Sequence, residues 1–361
     1  MSPVTPEQPD PCRFAARVIE ASKIGLSSYA TQSVLANPDP AYAAERVSFE
    51  HCARQFAAWL EYLAAALHTR RADVFTEIMV AARIARATRG LPTLDLSIGL
   101  AALDKVLTDY LPADAVTAVR PFLDAADHAL RATDGSLPGR IDPHSSPTGR
   151  LAAEYLMRVL AGNRRGAMAI VRTALDGGTP IRDVYLEILA PTQREVGLLW
   201  LTGEINVAEE HRATAVTEAV MAEIRGQTTG SASGPSVLAA TVQDDHHAVG
   251  IRMVADFFEW EGWSVTYLGC NVPSADLVQT LSAEPHDLLA LAVNLPPYLR
   301  DAENLIRDLR AIPELKSLKI LVGGPAFART DSLWREIGAD GFASDAASAV
   351  AIGAQLVASP R

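Results

Sequence analysis

The C-terminal part of the sequence alternates between short apolar runs and amphipathic runs, and this alternation limits the fold more than any other feature. Each apolar run has the length of a strand, and a segment with helical spacing follows it. Strands are predicted at residues 237–242, 264–268, 288–294, 319–322 and 341–343, and helices at residues 249–260, 275–282, 300–311, 332–337 and 347–357. Such alternation indicates a doubly wound parallel sheet with helices on both faces.

The sequence before this region has helical spacing and forms two further blocks. Residues 14–132 are rich in Ala and Leu and predict an all-helical domain of about five helices, separated by breaks at residues 37–40, 90–92 and 111–114. Residues 150–228 predict four helices with short connections, which favours an antiparallel four-helix bundle. The fourth helix is expected to start at Asn206 as N-cap, with Glu209 completing a capping box. The whole chain is therefore a multi-domain protein of α and α/β type.

One helix of the first block has the clearest pattern. Between residues 48 and 69, apolar side chains recur every three or four positions and form one face. This pattern predicts a stripe that faces a core, formed by Cys52, Phe56, Trp59, Leu60, Leu63 and Leu67.

One polar segment precedes these blocks, and two others separate them. Residues 1–13 are rich in Pro and polar, and they predict a disordered arm. Residues 133–149 are rich in Gly, Pro and Ser and predict a linker. A second joint at residues 230–235 precedes the α/β domain, which is expected to span residues 235–361.

Composition excludes several classes of protein. The net charge of −11 over 361 residues disfavours direct nucleic-acid binding, because phosphate contacts need clustered Lys and Arg. The three cysteines are scattered without a CxxC pair, so neither a disulfide framework nor a zinc knot is indicated. No secretory signal and no membrane-spanning run is present, so we expect no membrane association and a cytoplasmic location.

The most informative motif is the polar loop after the first predicted strand, which contains Asp245-x-His247-x-x-Gly250. In open α/β sheets, ligands bind at the carboxyl ends of strands. A carboxylate two residues before a histidine can hold one ring nitrogen and leave the other free for a metal. Gly250 allows close approach of a ligand. The alternative interpretation is a solvated turn with two histidines, His246 and His247.

Two later loops end at the same edge of the predicted sheet. Asn294 follows the third strand, and Gly323-Gly324 follows the fourth. Two glycines there can leave a channel beside the sheet, although such a pair is also an ordinary tight turn. No G-x-G-x-x-G follows the first strand, which removes the main support for dinucleotide binding.

These three loops together resemble the cobalamin-binding domain of corrinoid proteins. The resemblance covers residues 150–357 and implies that His247 is the lower cobalt ligand, with the nucleotide tail near Gly323 and Gly324. The middle motif of that family begins with serine, whereas the matching triplet here is residues 292–294, Ala-Val-Asn. The resemblance therefore implies Asn294 as a substitute polar contact to the tail.

The bundle contains Trp200, nine further residues, and then Glu210-His211. This spacing resembles the cap of CarH-like B12-dependent photoreceptors. The resemblance implies adenosylcobalamin as the cofactor, with Trp200 against the upper adenosyl group and Glu210 hydrogen-bonding near it. It also implies His211 as an upper cobalt ligand after light breaks the cobalt–carbon bond.

The N-terminal block lacks the basic helix-turn-helix domain of CarH-like regulators. Its helical pattern resembles globin-like sensor modules and the chromophore half of photocobilins, which pair B12 with a bilin such as biliverdin. In that case Cys52 and His51 become candidates for a bilin contact, and His51, His68 and His128 are candidates for a haem. The alternative for each of them is an ordinary residue of a helix surface or core, and no role is assigned to it.

The leading hypothesis from the sequence is a cobalamin-dependent light sensor, a regulator rather than an enzyme, that signals to a protein partner. By resemblance we expect a homo-oligomer, in the simplest case a dimer. The alternative is a corrinoid methyl-carrier subunit of a methyltransferase system, which shares the lower motif. A third hypothesis is a cobalamin-responsive protein that antagonises a transcription factor without light.

Overall fold

The structure of the protein is a computed structural model. It describes residues 10–36, 48–88, 94–132, 141–226, 233–328 and 332–358. The chain divides into two compact units, one of residues 1–137 with 201–204 and one of residues 138–200 with 205–361. No helix in the described part of the chain is long and apolar enough to cross a membrane.

Several predicted segments fall on undescribed residues. The breaks at residues 37–40 and 90–92, most of the N-terminal arm, and parts of the linker and of the second joint lie outside the described residues.

The first unit is all helical in its described main segment. Its helices are α1 (Pro11–Leu35), α2 (Phe49–Thr69), α3 (Ala72–Thr88), α4 (Leu94–Tyr110) and α5 (Ala113–Ala132). The stripe predicted on α2 is confirmed, because Phe56, Trp59 and Leu63 are at most 4 % exposed and lie in one core. Asp10 caps α1, so residues 11–13 form its first turn and do not belong to the expected arm.

The second unit begins with four helical stretches, as the sequence predicts. They are α6 (Pro147–Leu160), α7 (Arg164–Asp176), α8 (residues 181–201) and α9 (Val207–Arg225). The helix α6 starts inside the expected linker, because Ser146 caps it and Pro147 occupies its first turn. The capping box of Asn206 and Glu209 is confirmed at the start of α9.

The second unit continues into a parallel five-stranded sheet. Its strands are β1 (Ser236–Thr241), β2 (Ser264–Gly269), β3 (Leu288–Ala292), β4 (Lys319–Gly323) and β5 (Gly341–Ala343). Helices alternate with them: α10 (Ala248–Trp260), α11 (Ser274–Ala283), α12 (Leu299–Ala311), α13 (Leu333–Glu336) and α14 (Ala346–Ala358). All five predicted strands are confirmed, with no bound shifted by more than two residues.

The strand order is β2-β1-β3-β4-β5, and every neighbouring pair is parallel. The chain turns one way after β1 and the other way after β2, so β1 and β3 flank a topological switch point. In open α/β sheets, ligands bind in the crevice outside the carboxyl ends of the strands at such a point. The loops after β1 and β3 therefore meet at the usual ligand position of this fold class.

The bundle is anchored on α10 through a buried carboxylate. Within α8, Val184–Leu189 forms a π-helical turn, and its Tyr185 hydroxyl donates to Oδ2 of Asp256 at 2.9 Å. The Nε of Arg252 donates to Oδ1 of the same carboxylate at 2.8 Å. Asp256 is fully buried; burial raises its pKa, although the hydrogen bonds from Arg252 and Tyr185 oppose the shift. The helix α10 therefore holds the bundle through Asp256 and also begins directly after the loop that follows β1.

The N-terminus of α14 provides a stability prediction. Oδ1 of Asp345 accepts from the backbone N–H of Ser348 at 2.8 Å, as an N-cap does. Burial works to raise the pKa of Asp345, but hydrogen bonds from Ser348 and Ser344 outweigh it and leave the pKa below its usual value. A carboxyl group with a lowered folded pKa stabilises above its unfolded pKa and loses this contribution as the pH falls through the folded value.

We expect Asp345→Ala to lower the free energy of unfolding by about 1 kcal/mol at pH 7. The difference from the wild type should begin to narrow below about pH 4, where the carboxyl group is protonated in the unfolded chain, and should shrink further as the pH falls through the lower folded pKa. Urea unfolding at pH 7 and pH 3 measures both effects. Asp345→Asn is the matched control, because it keeps the cap but not the charge; a loss with Asp345→Ala that is equal at both pH values would contradict the assignment.

Candidate functional site

The loop after β1 is held in one conformation by its neighbours. The Thr241 hydroxyl donates to the Asp245 carbonyl oxygen at 2.6 Å and accepts from the Asn271 N–H at 2.9 Å. The side-chain oxygen of Asn271 in turn accepts from the Asp244 N–H at 2.8 Å. Asp244 and Asn271 both have positive φ, 64° and 54°, which Asp and Asn tolerate better than most residues. The loops after β1 and β2 thus brace each other.

At the centre of the site lies the carboxylate of Asp245, which is fully buried. Its Oδ1 accepts from the backbone N–H of His247 at 3.2 Å and lies 2.7 Å from the ring Nδ1 of the same residue. Its Oδ2 accepts from the backbone N–H and the Nδ2 of Asn294, at 2.7 and 3.0 Å. Burial acts to raise the pKa of Asp245, but the hydrogen bonds from His247 and Asn294 outweigh it, and the pKa is lowered. The carboxylate is therefore ionised and fully engaged.

The imidazole of His247 is presented to the surroundings by this carboxylate. Because an ionised carboxylate accepts a proton at Nδ1, the neutral ring carries its lone pair on Nε2. The side chain is 55 % exposed, so Nε2 is accessible. The hydrogen bond to Asp245 raises the pKa of His247 against the opposing effect of burial, and the charges of Asp245 and Glu210 add to the rise. An electron-rich, oriented imidazole of this kind is a typical metal donor.

The first turn of α10 offers space next to this imidazole. His247 is the N-cap of α10, and its side chain does not cap the helix. Gly250 lies three residues further, and no atom comes within 4 Å of the position that a Cβ would occupy there. A broad, flat ligand can therefore approach the helix at this point.

The bundle contributes the residues of the Trp-x9-Glu-His pattern. Trp200, near the end of α8, is 46 % exposed. Glu210, in the first turn of α9, and His211, which follows it, form a close pair with Oε2 and Nε2 3.4 Å apart, and the His211 side chain is 74 % exposed. Among the described residues, no ring contact or hydrogen bond joins Trp200 to this pair. The charge of Glu210 acts on the pKa of His247, and the side chains of Trp200 and His211 are exposed.

Glu210 is held by a polar chain that crosses the bundle. The Thr214 hydroxyl lies 2.9 Å from Oε1 of Glu210 and 3.3 Å from Oε1 of Gln193. Gln193 also donates through Nε2 to the Thr217 hydroxyl at 2.7 Å, and the buried Tyr155 hydroxyl donates to the same oxygen at 3.2 Å. The orientation of Glu210 thus depends on side chains of α6, α8 and α9.

Gly323, the last residue of β4, and Gly324, which follows it, both lie close to the backbone of neighbouring segments. Gly324 has φ of 102°, and a Cβ there would lie 2.2 Å from the Val293 carbonyl oxygen. A Cβ on Gly323 would lie 3.0 Å from the carbonyl oxygen of Ala343. Gly324 allows the loops after β3 and β4 to touch, and the space of its missing side chain is filled by backbone.

The sequence predicted several of these residues but not their mutual contacts. The expected carboxylate–imidazole pair of Asp245 and His247 is confirmed. The side-chain amide of Asn294 donates a hydrogen bond to Asp245, whereas the resemblance implied that Asn294 contacts the cofactor tail. Thr241 and Asn271 were missed, although both end a strand or follow one at the ligand edge. The polar residue after β2 was the available signal, because all such loops share that edge.

The candidate residues of the first unit differ in solvent exposure. Cys52 is buried in α2, and His51, next to it, is exposed. Nothing in their positions assigns a chromophore contact to either of them.

These features fit a corrinoid. A corrin ring already supplies cobalt with four nitrogens, so the protein needs to offer a single axial donor and a wide opening. The accessible Nε2 of His247 is such a donor, and the clear space at Gly250 is such an opening. Asp245 keeps the donor in the required tautomer.

Comparison with known proteins agrees with this fit. Residues 235–351 match the family model described as B12 binding domain, and residues 151–225 match a second model of the same description. The structure of a monomethylamine corrinoid protein from Methanosarcina barkeri is similar, with a TM-score of 0.51 and 20 % identity, over 57 % of this chain and 98 % of that chain. This likeness shows the fold of the C-terminal region.

Two relatives from Myxococcus xanthus match part of the chain. The HTH-type transcriptional repressor CarA is 27 % identical over 157 residues, which are 43 % of this chain and 52 % of that protein. The HTH-type transcriptional repressor CarH is 30 % identical over 148 residues, which are 41 % of this chain and 48 % of that protein. The chain thus spans about half the length of the curated relatives it matches. Its C-terminal region carries B12-binding domains and is similar to CarH and CarA.

The Gly324 contact gives a testable prediction for this edge of the sheet. We expect Gly324→Ala to lower the free energy of unfolding by about 3 kcal/mol or more, because it adds a backbone clash to the cost of a positive φ. Gly178 is the matched control: its φ is 88°, and nothing lies within 4 Å of its missing Cβ. Gly178→Ala should cost only about 1 kcal/mol. Urea unfolding compares the two, and equal losses would show that the Val293 contact is unimportant.

Proposed function

We propose that this chain is a cobalamin-dependent photoreceptor that holds adenosylcobalamin with His247 as the lower cobalt ligand. The observation that carries the proposal is the imidazole of His247, held at Nδ1 by the buried Asp245 and accessible at Nε2. The matches of residues 151–225 and 235–351 to B12-binding domains support the choice of cofactor.

On the lower side, each residue has a distinct task. Asp245 fixes the tautomer of His247 and raises the electron density of its ring, which strengthens the ring as a donor. Asn294 and the N–H of His247 keep Asp245 ionised in a buried position. The turn at Gly250 admits the edge of the macrocycle. We propose the segment of Gly323 and Gly324, which lies against Ala343 and Val293, as one wall of the site of the nucleotide tail.

On the upper side, the bundle supplies the residues that respond. When bound, adenosylcobalamin supplies a cobalt–carbon bond that visible light breaks. Trp200 offers an aromatic face that shields this side of the site from water. Glu210, held by Thr214, is a hydrogen-bond acceptor near the upper group. His211 is an exposed imidazole that is free to change partner after illumination.

The proposed signal leaves through α10 and the bundle. The Tyr185–Asp256 contact joins the π-helical turn of α8 to the helix that begins at His247. A rearrangement of the bundle against the sheet would therefore change the hydrogen bond between Tyr185 and Asp256. We propose a protein partner for the output, because a net charge of −11 disfavours a nucleic-acid surface. We also propose that the assembly is a homodimer. By its resemblance to the chromophore half of photocobilins, the first unit is the proposed place for a bilin such as biliverdin.

We expect the protein loaded with adenosylcobalamin in the dark to change its visible absorption spectrum on illumination. His211→Ala should bind in the dark within about twofold of the wild type, but it should give a different illuminated spectrum, because the upper imidazole is missing. His246→Ala, which removes an exposed histidine of the lower loop, is the control and should behave as the wild type. A wild-type spectrum that does not respond to light would refute the photoreceptor, and a far-red band in freshly purified protein would reveal a bilin.

We expect His247→Ala to weaken cobalamin binding at least about tenfold, since it removes the axial donor. Asp245→Asn should weaken binding by about tenfold through the loss of ring orientation and charge. Equilibrium titration followed by absorption measures both dissociation constants, again with His246→Ala as control. Unchanged affinity in His247→Ala would exclude the proposed ligand.

A corrinoid methyl carrier is the second candidate, because the fold is shared with a monomethylamine corrinoid protein. The lower loop serves both functions equally. The Trp200, Glu210 and His211 pattern favours the sensor. Methyl transfer from a methylated substrate, in the presence of a partner methyltransferase, would favour the carrier.

A further inference from the structure

Four arginines lie around the turn between α6 and α7. Arg158 belongs to the last turn of α6, Arg164 and Arg165 begin α7, and Arg212 lies in α9. All four residues are exposed. We call this group the arginine corner. It contains none of the residues of the loop after β1.

Two glycines of the turn make room for the alkyl stems of two of these arginines. Gly162 has φ of 67°, and the position of its missing Cβ lies 2.8 Å from Cδ of Arg212. Nη2 of Arg212 donates to the carbonyl oxygen of Leu160 at 2.7 Å. The missing Cβ of Gly166 lies 2.9 Å from Cδ of Arg158. Because a side chain at either glycine would displace an arginine, the turn itself brings Arg158 and Arg212 close to the start of α7.

The arginine corner lacks the carboxylate partners that other exposed arginines of the bundle have. Arg150 pairs with Glu154 at 3.1 Å, and Arg172 pairs with Glu223 at 2.6 Å. In the part of the chain that the structure describes, no carboxylate oxygen lies within 4.0 Å of a guanidinium nitrogen of the arginine corner. The chain has 43 acidic and only 32 basic residues, so composition does not explain an unpaired basic group.

The stability of α7 does not explain these side chains either. The N-terminus of a helix carries a partial positive charge, which favours acidic side chains and disfavours basic ones. The first turn of α7 contains Arg164 and Arg165 and no acidic residue. Asn163 already caps the helix, because its side-chain oxygen accepts from the N–H of Gly166 at 2.9 Å. An anion at this place would interact favourably with both the arginines and the helix N-terminus.

The donors of the arginine corner fit carboxylates and phosphates. A guanidinium group presents its N–H donors as a planar fork that binds either anion through two hydrogen bonds. The four arginines come from three helices and are all exposed, so they form a surface suited to a macromolecule with several negative charges.

Two observations favour an acidic protein over a nucleic acid. Met157, which precedes Arg158, is 66 % exposed, and it lies one helical turn before the exposed Ala161. This apolar strip can contact the side chains of a protein segment, whereas a phosphate backbone offers it no apolar partner. The net charge of −11 also repels a long polyanion at a distance, and a short acidic segment experiences less of this repulsion.

We propose that the arginine corner is a docking surface for a partner protein that presents a segment of acidic residues interspersed with apolar ones. The guanidinium groups bind the carboxylates of this segment, and Met157 and Ala161 contact its apolar side chains. The inference goes beyond the proposed photoreceptor function, because it specifies the chemistry of a partner. It does not depend on the cofactor, so docking is expected whether or not cobalamin is bound.

The test measures binding of a defined acidic peptide. The 361-residue chain, as purified, is titrated into a fluorescein-labelled synthetic peptide that repeats Glu-Glu-Leu, and fluorescence anisotropy gives the dissociation constant. The double variant Arg164→Glu/Arg165→Glu should bind at least about tenfold more weakly, because it replaces attraction by repulsion. Arg150→Glu/Arg172→Glu is the matched control with the same change in net charge. At physiological salt it should stay within about threefold of the wild type, since distant surface charges are screened.

Urea unfolding separates docking from a role in folding. Arg164→Glu/Arg165→Glu places negative charge at the N-terminus of α7, so its urea midpoint should equal or slightly exceed that of the wild type. A clearly lower midpoint would show that the two arginines serve the fold, and it would overturn the proposal.

Further outcomes would also overturn it. One is equal affinity of the wild type and Arg164→Glu/Arg165→Glu for the acidic peptide, and another is an equal loss in the control variant. Equally tight binding of a peptide that repeats Gln-Gln-Leu would show that carboxylates are unnecessary. A labelled DNA duplex that binds more tightly than the acidic peptide, and through the same two arginines, would assign the surface to nucleic acid. Self-association that the double variant abolishes in sedimentation velocity would assign it to a second copy of the chain.

Discussion

The buried carboxylate of Asp245 is the interaction on which the site depends. Four hydrogen-bond donors surround it, two from His247 and two from Asn294, and no part of it is exposed. An ionised carboxylate without these donors would be costly to bury. The same donors that stabilise its charge also fix the ring of His247 and tie the loop after β1 to the loop after β3. Orientation of the metal donor and attachment of the two loops are therefore one arrangement.

The strand order explains why these loops meet. Because β1 lies between β2 and β3, the loops that follow all three strands end at one edge, beside the switch point. Asn271 braces the loop from one side and Asn294 from the other. The contact of Gly324 with the Val293 backbone brings in the fourth loop. The proposed site of a large cofactor is thus built from backbone and short polar side chains, which leave the outer surface open.

The helix α10 serves both parts of the second unit. Its N-terminus begins at His247, and its Asp256 receives the Tyr185 hydroxyl from the π-helical turn of α8. π-helical turns occur frequently at functional sites, and here the turn carries the buried anchor of the bundle. The upper face of the bundle is held separately, by the polar chain from Tyr155 to Glu210. One end of the bundle is fixed on α10 through Asp256, and the polar chain holds Glu210 near the start of α9.

The sequence by itself determined the elements and the local pairs. Periodicity gave the five strands and the helical blocks, and short spacings gave the Asn206 capping box and the Asp245–His247 pair, because such features depend only on neighbouring residues. The tertiary structure alone decided the strand order, the Asn294–Asp245 contact, the Gly324–Val293 approach and the π-helical turn with Tyr185 on Asp256. Each of these joins residues far apart in the chain, and packing of whole elements sets such distances. Local sequence patterns therefore do not predict these contacts.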